Sequence, residues 1–311
     1  MRTSAAFLAL LAALAALFAV AGGLWRHGRG PAATDGEPGE RPLRRVLCTI
    51  YPLHLLARAV VAGREGVGVE RMLPARMGCP HDYVPTPQDV RALQAADVLV
   101  VNGGGLDDFL AGRREALAPE LVVIDGSRGI LAAGEGAATD AHLCASPRQA
   151  ARVAANLAAG LAAADPGGAE LYARNAAALA ARLDALAGEL AARGERLANR
   201  RVVVQHAAFD HLARDIGLEI VGIVAGHAGQ EPAAAEMLAI VARIRAAGAG
   251  AVCTEPQYPS EIGRTIAAEA GVPVVVLDPV ATGPEEAGLD HYEAVMRRNM
   301  AALEEALGAK R

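Results

Sequence analysis

The chain has 311 residues, enough for two ordinary domains. It is 53% hydrophobic but only 3% aromatic, so its apolar content is mostly Ala, Leu and Val, which favours helices packed on β-branched strands over an aromatic stacking surface. A net charge of −5 with no basic patch argues against nucleic acid as a partner.

Residues 1–21 read as a signal peptide. Arg2 precedes an apolar, charge-free run from Ala5 to Leu24, within which Ala19-Val20-Ala21 has the small-x-small form of a cleavage site. The mature chain is expected to begin at Gly22, in a periplasmic or otherwise extracytoplasmic compartment. The alternative is an uncleaved membrane anchor, because the run approaches spanning length. Residues 22–44, rich in Gly, Pro and charge, read as a flexible leader.

From Arg45 onward short β-branched runs alternate with helical segments. In a first lobe, 45–166, strands are expected at Val46–Tyr51, Val67–Met72, Val98–Asn102 and Leu121–Asp125. Helices are expected from Leu53 to Ala62, from Pro87 to Ala96 and from Leu106 onward. Gly103-Gly104-Gly105 lacks the Lys-Ser/Thr of a nucleotide loop and the spacing of a dinucleotide fingerprint, so it reads as a tight turn. Residues 167–199 are Ala-rich, with Leu179, Leu183, Leu186 and Leu190 on one helical face. A helix of that length, roughly 50 Å, would tie two lobes together. A second lobe, 200–311, repeats the alternation: strands at Val202–His206, Leu218–Val224, Ala251–Pro256 and Val274–Pro279, a helix from Ala233 and a last helix from Asp290 to Leu307. The fold class is therefore α/β: two lobes, each with a roughly four-stranded parallel sheet and flanking helices, joined by one long helix.

Three features carry chemistry. In Cys79-Pro80-His81-Asp82-Tyr83-Val84-Pro85-Thr86-Pro87-Gln88-Asp89, three prolines stiffen the loop that holds His81, Thr86 caps a helix, and Asp89 stands where a capping-box acid would. His142-Leu143-Cys144-Ala145-Ser146-Pro147-Arg148-Gln149 repeats that logic, with Ser146 as the cap and Gln149 completing a box. In the second lobe His206, Glu255 and Asp278 each stand at the carboxyl end of a strand, where open parallel sheets bind ligands. Facing lobes would bring His81, His142, His206, Glu255 and Asp278 into one cleft. Three imidazoles and a carboxylate suit a tetrahedral zinc site better than manganese, which prefers oxygen donors. Glu255 reads either as a fifth, oxygen ligand or, the favoured reading, as an acceptor that orients an imidazole. His54 and His211 read as packing or surface residues, and His227 and His291 as solvated. A zinc hydrolase is the rival reading, with Glu255 as its base.

Read in order, these residues resemble the metal-binding solute-binding proteins of ABC transporters, the cluster that captures zinc or manganese outside the membrane. The motif from Pro80 to Tyr83 followed by Pro85-Thr86-Pro87 is similar to that family's first-ligand motif. His142 with Ser146-Pro147 resembles the second, His206-Ala207-Ala208-Phe209 the third and Leu277-Asp278-Pro279 the fourth; Thr254-Glu255-Pro256-Gln257 is also typical. The sequence departs from the pattern at Cys144, where an aromatic residue is usual, and at Ala207, where an acid is. The resemblance implies a monomeric receptor, not an enzyme, that binds one divalent ion and docks on a permease with a cytoplasmic ATPase. Four cysteines, Cys48, Cys79, Cys144 and Cys253, allow three pairings. If His81 and His142 meet at a metal, Cys79 and Cys144 are the candidate disulfide tying the two loops; the alternative is that all four cysteines are buried and reduced, as small apolar residues often are.

Overall fold

The computed structural model describes residues 43–74, 77, 80, 83–111, 121–131, 140–224 and 232–308. The signal peptide, the leader as far as residue 42, Cys79, His81 and His227 therefore lie outside the described residues, while Leu43 at the end of the expected leader is buried in the core. Among the described residues eight short strands form the framework. In the first lobe β1 (Arg45–Cys48), β2 (Gly68–Arg71), β3 (Val98–Val101) and β4 (Val122–Asp125) make one parallel sheet of order β2-β1-β3-β4. In the second lobe β5 (Arg201–Val204), β6 (Glu219–Ile223), β7 (Ala251–Thr254) and β8 (Val274–Val276) repeat it as β6-β5-β7-β8. Every pairing is parallel, and β5–β6 alone carries a register shift, between Val202 and Val203. The chain steps outward from β1 to β2 and then crosses back to β3, so the switch point lies between β1 and β3, and between β5 and β7 in the second lobe. Loops leaving those four strands diverge and leave a crevice.

The helices are α1 (Tyr51–Val61), α2 (Pro87–Ala95), α3 (Pro147–Ala164), α4 (Ala169–Gly194), α5 (Asp210–Ile216), α6 (Ala234–Ala247), α7 (Glu261–Ala270) and α8 (Leu289–Leu307). The capping box of α2 forms as expected: Asp89 N donates to Thr86 Oγ1 and Thr86 N donates to Asp89 Oδ2. At α3 only half of the expected box is present. Ser146 Oγ accepts from Gln149 N, but the Gln149 side chain turns to Arg152.

Several boundaries differ from the sequence expectation. The first strand stops at Cys48 and the helix begins at Tyr51, since Pro52 in the first turn is preorganised for a helix and has no N–H to give a ladder. The helix expected from Leu106 is, among the described residues, a single 3-10 turn at Asp108–Leu110. The three preceding glycines all have positive φ, and Gly103 N donates to Asp107 Oδ2, so the carboxylate folds back into the turn. A phosphate reading of this turn is further weakened, because an internal carboxylate takes its N–H. The long helix is also shorter than 167–199. A 3-10 turn at Pro166–Gly168 precedes it, and its 26 residues span about 39 Å.

Helix α4 buries the predicted stripe Leu179, Leu183, Leu186 and Leu190. It packs on α1 and α3 of the first lobe and on α5 and α8 of the second. One hydrophobic core runs through both lobes, from Val46, Leu99 and Leu157 through Leu183 to Val204, Cys253 and Leu303, while a smaller core of Val203, Ile244, Val252 and Ile266 serves the second lobe alone. Residues 43–311 accordingly form one compact unit. The last residue of α4 shows how tightly it is seated: a Cβ on Gly194 would land on the backbone carbonyl of Ile216. Helix propensity alone favours Ala over Gly by about 1 kcal/mol. Overpacking against backbone costs about 1–3 kcal/mol or more. Gly194→Ala is therefore expected to lower the denaturation midpoint, opposite in sign to propensity, and a rise would show that the contact relaxes freely.

His54 is buried on α1, as expected of a packing residue. Burial, with Arg71 and Arg58 adding to it, pushes its imidazole down to about 4. A group with a depressed folded pKa binds its proton first in the unfolded chain. Its stabilising contribution is therefore complete above the unfolded value near 6.5 and is lost as pH falls towards 4, by up to about 1.4 kcal/mol per pH unit. Comparing urea unfolding of the wild type and His54→Leu should show a stability difference that changes over that window; a difference constant from pH 7 to 4.5 contradicts the assignment.

Candidate metal centre

The residues just past the switch-point strands converge on one small cavity. From the first lobe it is lined by Ile50 and Pro52 after β1, Pro80, Asn102 after β3, Leu106, His142, Cys144 and Ala145; from the second come His206 after β5, Glu255 after β7, Pro279 and Ala281. Its volume is about 40 Å³, the room of a few water molecules. That space suits an ion rather than an organic substrate.

His206 stands two residues beyond β5. Its Nδ1 is hydrogen-bonded to Glu255 Oε1, and the Glu255 side chain is 1% exposed. Gln205 braces the pair, accepting from Glu255 N and donating to Pro259 O. The Tyr258 ring meets His206 edge-on. With Nδ1 occupied, Nε2 is the nitrogen facing away, and it is buried with no hydrogen-bond partner among the described residues. An orphaned imidazole nitrogen in a cavity wall is costly unless a ligand completes it.

His142 is held the same way from the first lobe. Its Nδ1 lies 2.7 Å from Asp140 Oδ1, and the same oxygen accepts from His142 N at 2.8 Å. Asp140 Oδ2 accepts from Asp210 N, and Asp140 O from His211 Nε2, so the carboxylate is fixed against the start of α5. Burial alone would raise the Asp140 carboxyl, but its bonds to His142 outweigh that and hold it below the ordinary value. Neighbouring Asp210 is pushed up, by burial and then by the Asp140 charge. Asn102 adds a brace: its Nδ2 donates to Ala141 O at 2.8 Å. On the other side Ser146 Oγ donates to Asp215 and Tyr292 OH to Cys144 O, so the His142 loop is bonded to the second lobe. The His142 and His206 rings end 5.2 Å apart, nearly perpendicular.

Asp278 stands two residues beyond β8. Its Oδ1 accepts from Gln257 Nε2 and from Val280 N, and its backbone is clasped by Asn299 through N and O. The turn forces buried Val280 to φ 60, a conformation that costs a β-branched residue about 1–3 kcal/mol. It also lays Pro279 and Ala281 on the cavity wall. Among the described residues no three His, Cys, Asp or Glu side chains stand together as a ready metal cage. The structure thus brings His142 and His206 together, whereas Asp278 is not among the lining residues although the next residue, Pro279, is. His81 lies outside the described residues, although its neighbour Pro80 lines the cavity and accepts from Tyr83 N.

The other titratable groups sort as follows. His211 is buried and bonds Asp140 O, a packing role as expected. His291 departs from its solvated expectation: it is partly buried, edge-on to Tyr51, with Nε2 shielded from solvent. Cys48, Cys144 and Cys253 are free buried thiols, so the disulfide expected at Cys144 is not formed. Burial pushes the Cys144 thiol up to about 12, which keeps it protonated. Asp140 and Asn102 escaped the sequence reading. The only signal for Asp140 was its place two residues before His142.

A family model described as "ZnuA: Zinc-uptake complex component A periplasmic" matches residues 46–306. A relative named "High-affinity zinc uptake system protein ZnuA" from Bacillus subtilis (strain 168) is 25% identical over 301 residues, 90% of this chain and 93% of its own length. "Zinc-binding protein AdcA" of Streptococcus pyogenes serotype M6 is 28% identical over 287 residues, 83% of this chain but 55% of its own length, so the chain spans about half of that relative. A solved structure, "Crystal structure of ZnuA", superposes with a TM-score of 0.74 at 27% identity, over 86% of this chain and 100% of that one. The Pseudomonas aeruginosa solute-binding protein FpvC, solved in complex with Mn2+, gives 0.75 at 30% identity, over 86% and 98%.

Proposed function

The chain belongs to the family of periplasmic zinc-uptake complex component A proteins, and on that basis we propose that it is an extracytoplasmic receptor that captures one zinc ion and delivers it to an ABC permease with a cytoplasmic ATPase. The observation that carries the reading is the pair His142 and His206. The two rings stand 5.2 Å apart across the lobe boundary, each with Nδ1 on a buried carboxylate. A carboxylate on Nδ1 fixes the tautomer, aims Nε2 and raises the basicity of the ring as a ligand. His81 and Asp278 complete the proposed set. Pro80 on the cavity wall supports bringing His81 there, and the strained turn after Asp278 supports a functional carboxylate at that point.

A donor set of three imidazoles and one carboxylate favours zinc over manganese. The hydrolase reading loses support because Glu255, its candidate base, is spent on His206 Nδ1 and shut off from solvent. Capture and release then proceed with modest motion, because one core and several cross-lobe bonds join the lobes. The receptor acts as a monomer. Titrating metal-stripped protein with zinc against a chromophoric chelator tests the reading. One ion per chain is expected, with manganese far weaker; no competition with the chelator, or more than one tight site, contradicts it.

A further inference from the structure

We propose that Asp140 is the positioning residue that makes His142 a ligand: it holds the Nδ1–H tautomer and fixes the ring's distance from His206. The inference rests on the reading of His142 as a zinc ligand. Asp140 is a buried hub with its bonds divided by direction. One oxygen takes both N–H groups of His142, the backbone at 2.8 Å and the ring at 2.7 Å. The other takes Asp210 N at 3.1 Å, and the Asp140 carbonyl takes His211 Nε2 at 2.8 Å. Asp210 and His211 open α5, four and five residues after His206 on a short connection in which Ala208 N donates back to His206 O. A single carboxylate therefore spans from the ring of one predicted ligand to the segment that follows the other.

Chemistry gives this arrangement a direction. A buried carboxylate is an acceptor only, so a neutral imidazole facing it must place its proton on Nδ1. Nε2 then carries the lone pair that a cation needs. Glu255 does the same for His206 from the second lobe. Two rings of opposite origin are thus given one tautomer by two separate carboxylates, and Asp140 is the one that also crosses between lobes.

The test uses the full mature chain and the variants Asp140→Asn and Asp140→Ala, with His142→Ala as reference. Nitrogen-15 imidazole spectra of the zinc-free protein read the tautomer directly, which a merely structural role would not move. The wild type should show His142 protonated on Nδ1. Asp140→Asn, which keeps an acceptor oxygen but no charge, should keep that tautomer in part, and Asp140→Ala should shift it towards Nε2–H. Zinc affinity should fall in the same order, by about 10–100-fold for Asp140→Ala. Should Asp140→Ala fail to fold, Asp140→Asn still has to show the weaker tautomer preference and weaker binding. Wild-type tautomer and affinity in Asp140→Asn and in any folded Asp140→Ala, with His142→Ala losing the ion, would overturn the role of Asp140. Wild-type binding by His142→Ala would instead overturn the ligand reading beneath it.

Discussion

Replacing His206 by Ala is expected to abolish tight zinc binding. A four-ligand zinc site in a protein is worth about 10–16 kcal/mol, so one ligand's share is about 3 kcal/mol or more, a weakening of about 100-fold or beyond. The substitution has a second effect that must be separated from the first. His206 Nδ1 is the partner of Glu255, whose side chain is 1% exposed. Truncating the ring leaves a carboxylate buried without that partner, which costs stability as well. Unfolding midpoints measured beside the titration should therefore fall, while circular dichroism at working temperature stays that of a folded chain. Unchanged zinc affinity in a folded His206→Ala protein would remove His206 from the ligand set.

The second large effect is a change of ion preference. His206→Glu replaces a nitrogen donor by a harder oxygen, so the ratio of zinc to manganese affinity should fall. The structure adds a condition. The new carboxylate would face that of Glu255, and two close carboxylates cannot both ionise cheaply. The single variant should therefore bind both ions poorly, and the double variant His206→Glu with Glu255→Gln should recover manganese more than zinc. Competition titration gives the ratio in each. A ratio equal to wild type in both proteins would show that position 206 does not touch the ion.

Much of this architecture was legible in the sequence because two periodicities are clean. β-Branched runs mark the strands and the Leu179, Leu183, Leu186, Leu190 stripe marks the connecting helix, and those elements exist where they were expected, whereas the helix expected from Leu106 is a 3-10 turn among the described residues. Ends were harder. The strand expected to end at His206 stops two residues early and the one expected to end at Pro279 three, because side chains there leave the ladder: His206 turns to Glu255, and Asp278 is held by Asn299 and Val280 N. Glu255 was read as an orienting acceptor since it ends a strand beside His206, and it bonds that ring. Asp140 was not read, because its role depends on Asp210 and His211, which are distant in sequence and adjacent only once the lobes meet. The candidate bridge from Cys144 to Cys79 rested on their each lying two residues from a histidine expected at the metal, whereas in the structure the Cys144 thiol is free and buried, as the alternative had it. His291 was read as solvated because it opens a helix, but the loop at Gly283 brings it onto Tyr51.

The central claim is one zinc ion held by imidazoles from both lobes with a carboxylate and no sulfur. X-ray absorption at the zinc edge of stoichiometrically loaded protein tests it most directly. A first shell of four nitrogen and oxygen scatterers at about 2.0–2.1 Å is expected, with the outer-shell pattern of three imidazoles. That pattern should drop to two imidazoles in His142→Ala if the variant is loaded at excess zinc. A sulfur scatterer near about 2.3 Å, or an imidazole count that does not change in His142→Ala, would contradict it.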